Sequence, residues 1–228
     1  MSTNLSPAFV TLFAEEVKQA YQAEMKLRPT VRLRTNVVGS TCKFPTVGKG
    51  QASVHTPSTD VTPLNSTFAQ ATATLANYTA AEYSSVFDQQ KVNFSERQEL
   101  VEVVSKAIGR RCDQMVIDAL DGAGTSLTVA NSIGGSNTNM NFAKVRDAHK
   151  QLNGKNVPAS DRYLLMHANN LNSLLSESQV TSADFVAGRP LQNGSVGQFM
   201  GFTIISIGDL DVGGLAIDSS SDRSCLAW

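Results

Sequence analysis

The stretch from Ser95 to Gly122 constrains this chain more than any other. Ser95-Glu96-Arg97-Gln98 matches a capping box, in which a Ser side chain and a Gln three residues on satisfy the free N–H groups of a helix start. Leu100, Val103, Val104, Ala107, Ile108, Met115, Val116, Ala119 and Leu120 follow at helical spacing. The pattern predicts one helix of about 27 residues, some 40 Å at a rise of 1.5 Å per residue, ending near Gly122. Glu102 and Lys106 form a favourable i, i+4 pair on it. Gly109 is a tolerated cost of about 1 kcal/mol relative to alanine.

The texture on either side differs. Ser6-Pro7 offers an N-cap followed by proline at the first helical position, and Phe9, Phe13, Val17 and Tyr21 predict an amphipathic helix ending before Pro29. From Val31 to Leu75 the period becomes two: Val31 and Leu33 against Arg32 and Arg34, Cys42 and Phe44 against Thr41 and Lys43, Val54 against Ser53 and His55. With Gly48-Lys49-Gly50 as the turn and Pro57 and Pro63 as punctuation, this predicts a long hairpin or a pair of extended ribbons. Beyond the long helix, Asn131 to Asn141 reads as a loop and a boundary. Phe142 to Leu152 follows as a helix, Arg162 to His167 as a buried strand, and Leu171 to Leu175 as a short helix begun by Asn169 or Asn170. Gly194, Gly197 and Gly201 then approach a strand at Phe202 to Ile207, with another short strand at Leu215 to Ile217. The fold class is α+β: an extended first half and a mixed, folded second half.

Catalytic constellations are missing. The chain contains no Gly-x-Ser-x-Gly elbow and no His-Glu-x-x-His. His55, His149 and His167 have no partner that the sequence names, and each reads as an exposed or satisfied structural group. Gly39 to Gly50 fails as a phosphate loop, because Lys43 stands where glycine is required and Gly50 where Ser or Thr would bind magnesium. Cys42, Cys112 and Cys225 are odd in number and far apart, which argues against a disulfide framework or a zinc site and fits a reducing compartment. Neither a metal nor another cofactor is implied. The N-terminus lacks a signal-peptide pattern, and no run approaches the roughly 18 apolar residues needed to cross a bilayer.

One charge feature remains. Lys26, Arg28, Arg32, Arg34, Lys43 and Lys49 fall in Met25 to Thr59, a stretch without Asp or Glu, although the formal net charge of the chain is only -1. Three readings compete: a solvated face, an arm that docks on acidic patches of a neighbouring subunit, or a nucleic-acid contact. Phe44 is the one aromatic residue among the cations of the ribbon, which disfavours stacking on single strands. A long ribbon that cannot bury both faces alone favours the intersubunit reading.

The order of elements resembles the major capsid protein family of tailed bacteriophages. The resemblance rests on Phe9 to Tyr21, Ser40 to Pro45, Ile108 to Asp113, Val157 to Tyr163 and Gly194 to Phe202, and spans essentially the whole chain. It implies an N-arm at 1–30 and an extended β-hairpin loop at 31–80. A peripheral domain at 81–138 would carry its spine helix at 95–121, and an axial α/β domain would occupy 139–228. In similar proteins the chain returns to complete the peripheral sheet, so those closing strands are expected to be missing here. The arm begins almost at Met1, so a separate scaffolding protein is implied where one is used.

The function implied is structural and not enzymatic. Copies of the chain would form hexamers and pentamers of an icosahedral shell, assembled in the bacterial host cytoplasm and ending in the virion. Portal and decoration proteins are further partners, packaged double-stranded DNA would lie inside without sequence-specific contacts, and no membrane is involved. Arg28, Arg32, Arg34, Lys43 and Lys49 would contact Glu96, Glu99 and Glu102 of an adjacent spine helix, with Asp209, Asp211, Asp218 and Asp222 as a second acidic surface. An encapsulin-like nanocompartment shell shares the fold and is the alternative. A nucleic-acid-binding protein using the basic ribbon, or an enzyme with a pocket joining His149 or His167 to a carboxylate, stand further off.

Overall fold

The computed structural model describes residues 23–86, 90, 95–123, 127–135, 138–181, 196–210, 213–217 and 222–228, with the side chains of Glu96 and Thr181 excepted. The helix expected over Phe9 to Tyr21 lies outside them. The chain forms two units, one comprising Met1–Val31 and Ala80–Trp228, the other Arg32–Thr79.

The smaller unit is a hairpin. Strands β1 (Thr41–Val47) and β2 (Phe68–Thr74) pair antiparallel in a register running from Thr41 opposite Thr74 to Val47 opposite Phe68. The alternation at Val31 and Leu33 and at Val54 forms no strand, because neither segment meets a partner to take up its backbone bonds. Gly48-Lys49-Gly50 is not a tight tip either. It opens a 20-residue connection, residues 48–67. Gly48 N donates to Thr67 O at 2.7 Å, one step past the ladder. A side chain at Gly48 would meet Thr67 Oγ1 at 2.3 Å, so the glycine permits a close approach of two chains and does not turn one.

The larger unit is built on α1 (Glu96–Asp121), which matches the predicted helix and its start but not the predicted cap bond. Ser95 sits at the N-cap without a side-chain bond; its carbonyl accepts from Gln98 N at 3.0 Å instead. The buried residues of α1 include Gly109, Asp113 and Ile117, at four-residue intervals. Gly109 is there because Met25 lies against it: an added Cβ would be 3.2 Å from Met25 Cβ. Part of the apolar pattern points elsewhere, since Val101 and Ile108 are 63% and 44% exposed.

A four-stranded sheet carries the core in the order β4 (Gln198–Phe199), β5 (Phe202–Ile207), β3 (Arg162–His167), β6 (Leu226–Ala227). Strands β3 and β5 are parallel and apolar along most of their length, as a strand covered on both faces must be. Leu164, Met166 and Phe202 pack on one face with α2 (Phe142–Gly154) and α3 (Ala168–Leu175), through Val145 and Leu174. Leu165 and Ile207 pack on the other with Leu27, Ile117, Leu210 and Leu215. The crossover between the two strands includes α3 and the single turn α4 (Ser178–Thr181). Helix α3 begins three residues before Leu171, capped by His167, whose Nδ1 accepts from Asn169 N at 3.1 Å. The strand expected at Leu215 to Ile217 is only an isolated bridge between Ile217 and Arg223. Short strands β4 and β6 carried too few residues to be legible as period two.

Candidate functional site

The hairpin has little internal support. Because side chains alternate along a strand, Cys42, Phe44 and Thr46 share one face with Ala73, Ala71 and Ala69, while Thr41, Lys43, Pro45 and Val47 share the other with Thr74, Thr72, Gln70 and Phe68. One face is thus mostly apolar and the other mostly polar. Cys42 is buried and Phe44 half-buried, but every residue of β2 is exposed. At the far end, the cross-strand pair Val47 and Phe68 stands 63% and 81% exposed. A two-stranded hairpin with this much uncovered apolar surface is marginal alone in water.

The basic residues divide between the two units. Arg28 opens a 3-10 turn, Arg28–Thr30, in the larger unit. Arg32, Arg34, Lys43 and Lys49 are exposed in the smaller one, where Asp60 is the only acid. Arg34 is already engaged, since its Nη1 donates to Lys43 O at 3.0 Å and braces β1 from outside the ladder. Lys43 projects from the polar face.

The acidic positions lie on the first turns of α1. Glu102 is half-exposed and pairs with Lys106 at 2.6 Å, which raises the Lys106 pKa. Glu99 is half-buried, and the side chain of Glu96 lies outside the described residues. Of the second acidic surface, Asp211 and Asp218 also lie outside them. Asp209 is paired to Arg223, with His167 Nε2 at 3.7 Å, so it is less available than its sequence suggests. His149 and His167 both make contacts within the larger unit, and His167 is the one that faces a carboxylate, Asp209. The ring of His149 stands edge-on to Phe202, its centroid 6.3 Å away, and His167 caps α3.

Sequence reasoning missed the residues that tie the larger unit together. Arg162 is buried at the start of β3, and its Nε donates to Pro158 O at 2.8 Å and its Nη2 to Asn153 Oδ1 at 2.8 Å and to Val157 O. Lys144 Nζ is clamped by Asn131 Oδ1, Thr138 O and Asn139 O, and burial lowers its pKa. A buried Arg at a strand start, with two carbonyls four and five residues before it, leaves no signature in sequence. Among the described residues no group of His, Cys, Asp and Glu is arranged to hold a metal ion, and no helix is long and apolar enough to cross a membrane.

Comparison with known proteins identifies a family. A family model described as phage capsid protein matches residues 5–228. No curated protein sequence matches significantly. The fold is similar to the capsid structure of cyanophage P-SCSP1u, at 18% identity and a TM-score of 0.67, over 98% of this chain and 74% of that one. It is similar to a structure from Mycobacterium phage Che8, at 17% identity and 0.65, over 95% and 89%. A third is the acid-stable capsid of Helicobacter pylori bacteriophage KHP30, at 14% identity and 0.70, over 94% and 67%. The α+β fold is therefore that of tailed-phage capsid subunits.

Proposed function

The chain belongs to the phage capsid protein family, and on that premise we propose that copies of it close into an icosahedral shell of hexamers and pentamers around double-stranded DNA. Its role in the virion is structural. Residues 1–30 act as an N-arm, the hairpin unit as an extended loop, 81–138 as a peripheral domain with α1 as its spine, and 139–228 as an axial domain. Portal and decoration proteins, and a scaffolding protein where one is used, complete the particle, which forms in the host cytoplasm.

The observation that carries this reading is the mismatch between the two units. The hairpin exposes the apolar pair Val47 and Phe68 and four cations against one acid. Helix α1 exposes Val101 and Ile108 beside Glu102. Each surface has what the other lacks, and in a homo-oligomer both are supplied by every copy. The hairpin of one subunit docks on α1 of the next; apolar contact supplies the affinity, at about 1.5–3 kcal/mol per large side chain fully buried. The pairing of Arg32, Lys43 and Lys49 with Glu96, Glu99 and Glu102 sets register more than affinity. Arg28 adds to the same contact from the neighbouring turn, while Arg34 supports it by holding β1.

Negative-stain electron microscopy of the purified protein tests the reading, and uniform closed shells are expected. The double variant Arg32→Glu/Lys49→Glu spares the Arg34 bond and should leave a soluble, folded subunit that no longer closes. Normal shells from that variant refute the electrostatic part.

A further inference from the structure

The described turns of α1 hold one fully buried carboxylate, and its partners are main-chain amides. Asp113 is 1% exposed. Its Oδ2 accepts from the backbone N–H of Lys26 at 2.8 Å and its Oδ1 from that of Leu27 at 3.1 Å. Both oxygens are spent on consecutive amides, which fixes the position of the backbone whatever side chains it carries. The gripped segment is fastened at further points. Lys26 Nζ donates to Ser206 O on β5 at 3.0 Å. Leu27 is fully buried against Ile117 and Leu165. Thr30 N closes the 3-10 turn on Leu27 O at 3.0 Å, and Trp228 Nε1 donates to Thr30 O at 3.3 Å. Two residues after Thr30 the hairpin unit begins, at Arg32.

We propose that Asp113 is the anchor of the hairpin unit's root, a positioning residue that makes a free subunit competent to assemble. The inference rests on the reading that the hairpin docks on a second copy. An extension whose root wanders must be ordered at the moment of docking, and that ordering subtracts from affinity. With the root held, only the extension itself remains to be ordered. If the root is held in only a fraction of subunits, apparent affinity at each contact falls by that fraction. Many identical contacts then turn a small loss per subunit into a raised threshold concentration for closure.

Backbone hydrogen exchange on the dissociated subunit, together with the protein concentration at which light scattering first detects shells, tests the anchor. In the wild type, the amides of Lys26 and Leu27 should exchange as slowly as those in the middle of α1. Asp113→Asn keeps the size but offers one acceptor where two are needed. It should speed exchange at those two amides about 100-fold, the loss expected for charge-assisted bonds. The assembly threshold should rise by the factor by which the held fraction of subunits falls, as read from the residual protection at those two amides, while the amides of β3 and β5 keep wild-type exchange. Unchanged exchange in the variant overturns the anchor, and fast exchange with an unchanged threshold overturns its link to assembly. Should Asp113→Asn not fold, the wild-type measurement decides, because rapid exchange at Lys26 and Leu27 is incompatible with an anchor. Absence of particles from the wild type refutes the docking reading instead, while the exchange rates at Lys26 and Leu27 still decide whether Asp113 holds the root.

Discussion

Replacing Arg162 by Met removes a buried cation while keeping an unbranched stem that reaches about as far as the Arg Nε. The guanidinium donates to Pro158 O and Asn153 Oδ1, both at 2.8 Å, and to Val157 O. All three acceptors are neutral oxygens. The acceptors belong to exposed residues and turn to water once the donor is gone, but each bond to a charged donor contributes about 1.5–3 kcal/mol. Against that, Met escapes the cost of desolvating the cation, a penalty of several kcal/mol. The balance is a destabilisation of about 3 kcal/mol, a large part of the roughly 5–15 kcal/mol that separates folded from unfolded domains. Arg162→Lys should recover less than half of the loss, because an ammonium on a flexible stem does not match a fork of acceptors set by the 157–158 backbone. Urea denaturation of the dissociated subunit measures both variants. In thermal unfolding the Met variant should melt about 6–12 °C lower, at 2–4 °C per kcal/mol for a chain of this size. A Met variant within about 0.5 kcal/mol of wild type, the level of an ordinary surface substitution, would mean that the guanidinium is not integral to the fold and would refute the reasoning.

Three further outcomes follow from named contacts. Ser95→Ala should change stability by less than about 0.5 kcal/mol, against about 1 kcal/mol for a working cap, in denaturant titration, because Ser95 makes no side-chain cap bond. Gly213→Ala should cost about 1–3 kcal/mol in the same assay: its φ is +135°, and a Cβ there would press on the Gln114 amide at 3.1 Å. Burial pushes the Cys225 thiol up to about 11, against the lowering effect of the Asn170 hydrogen bond. In the native state its alkylation at pH 8 should be about 100-fold slower than that of a thiol with the ordinary pKa. Since the folded state favours the protonated thiol, this group's contribution is fully present below pH 9 and is lost as pH rises from 9 towards 11, at most about 2–3 kcal/mol. Denaturant titrations of wild type and Cys225→Ala across that range read the difference.

The sequence spoke clearly where periodicity was long or burial two-sided. The long helix, the Arg162–His167 strand and the Phe202–Ile207 strand were legible for that reason. The Ser95 cap misled because a capping box specifies residue types, whereas the bond depends on the backbone angles at the N-cap. The second strand of the hairpin was blurred by its composition: Phe68-Ala69-Gln70-Ala71-Thr72-Ala73-Thr74 alternates alanine with larger residues, which lowers the contrast between faces. At the candidate site the basic run was visible because charge needs no partner to be counted. The bracing of β1 by Arg34 and the grip of Asp113 on Lys26 and Leu27 were invisible, since they join main-chain atoms 9 to 87 residues away. Asp113 in a helical run reads as a polar position facing water. Ile108 in the same run reads as core. The structure exchanges their roles.

The long connection between β1 and β2 has a use in engineering. Its ends meet at the bond from Gly48 to Thr67, and they approach again where a side chain at Gly50 would overlap Leu64. Beyond these two closures the chain runs exposed through a turn held by Thr59 N on Thr56 O, with Ser58 at a φ of +71°. Lengthening a closed 20-residue loop by ten residues costs about 0.4 kcal/mol in closure entropy, and no ladder bond or buried side chain is disturbed. A foreign peptide spliced at Ser58 should therefore leave the fold of the subunit intact, with one insert carried by each copy of the chain.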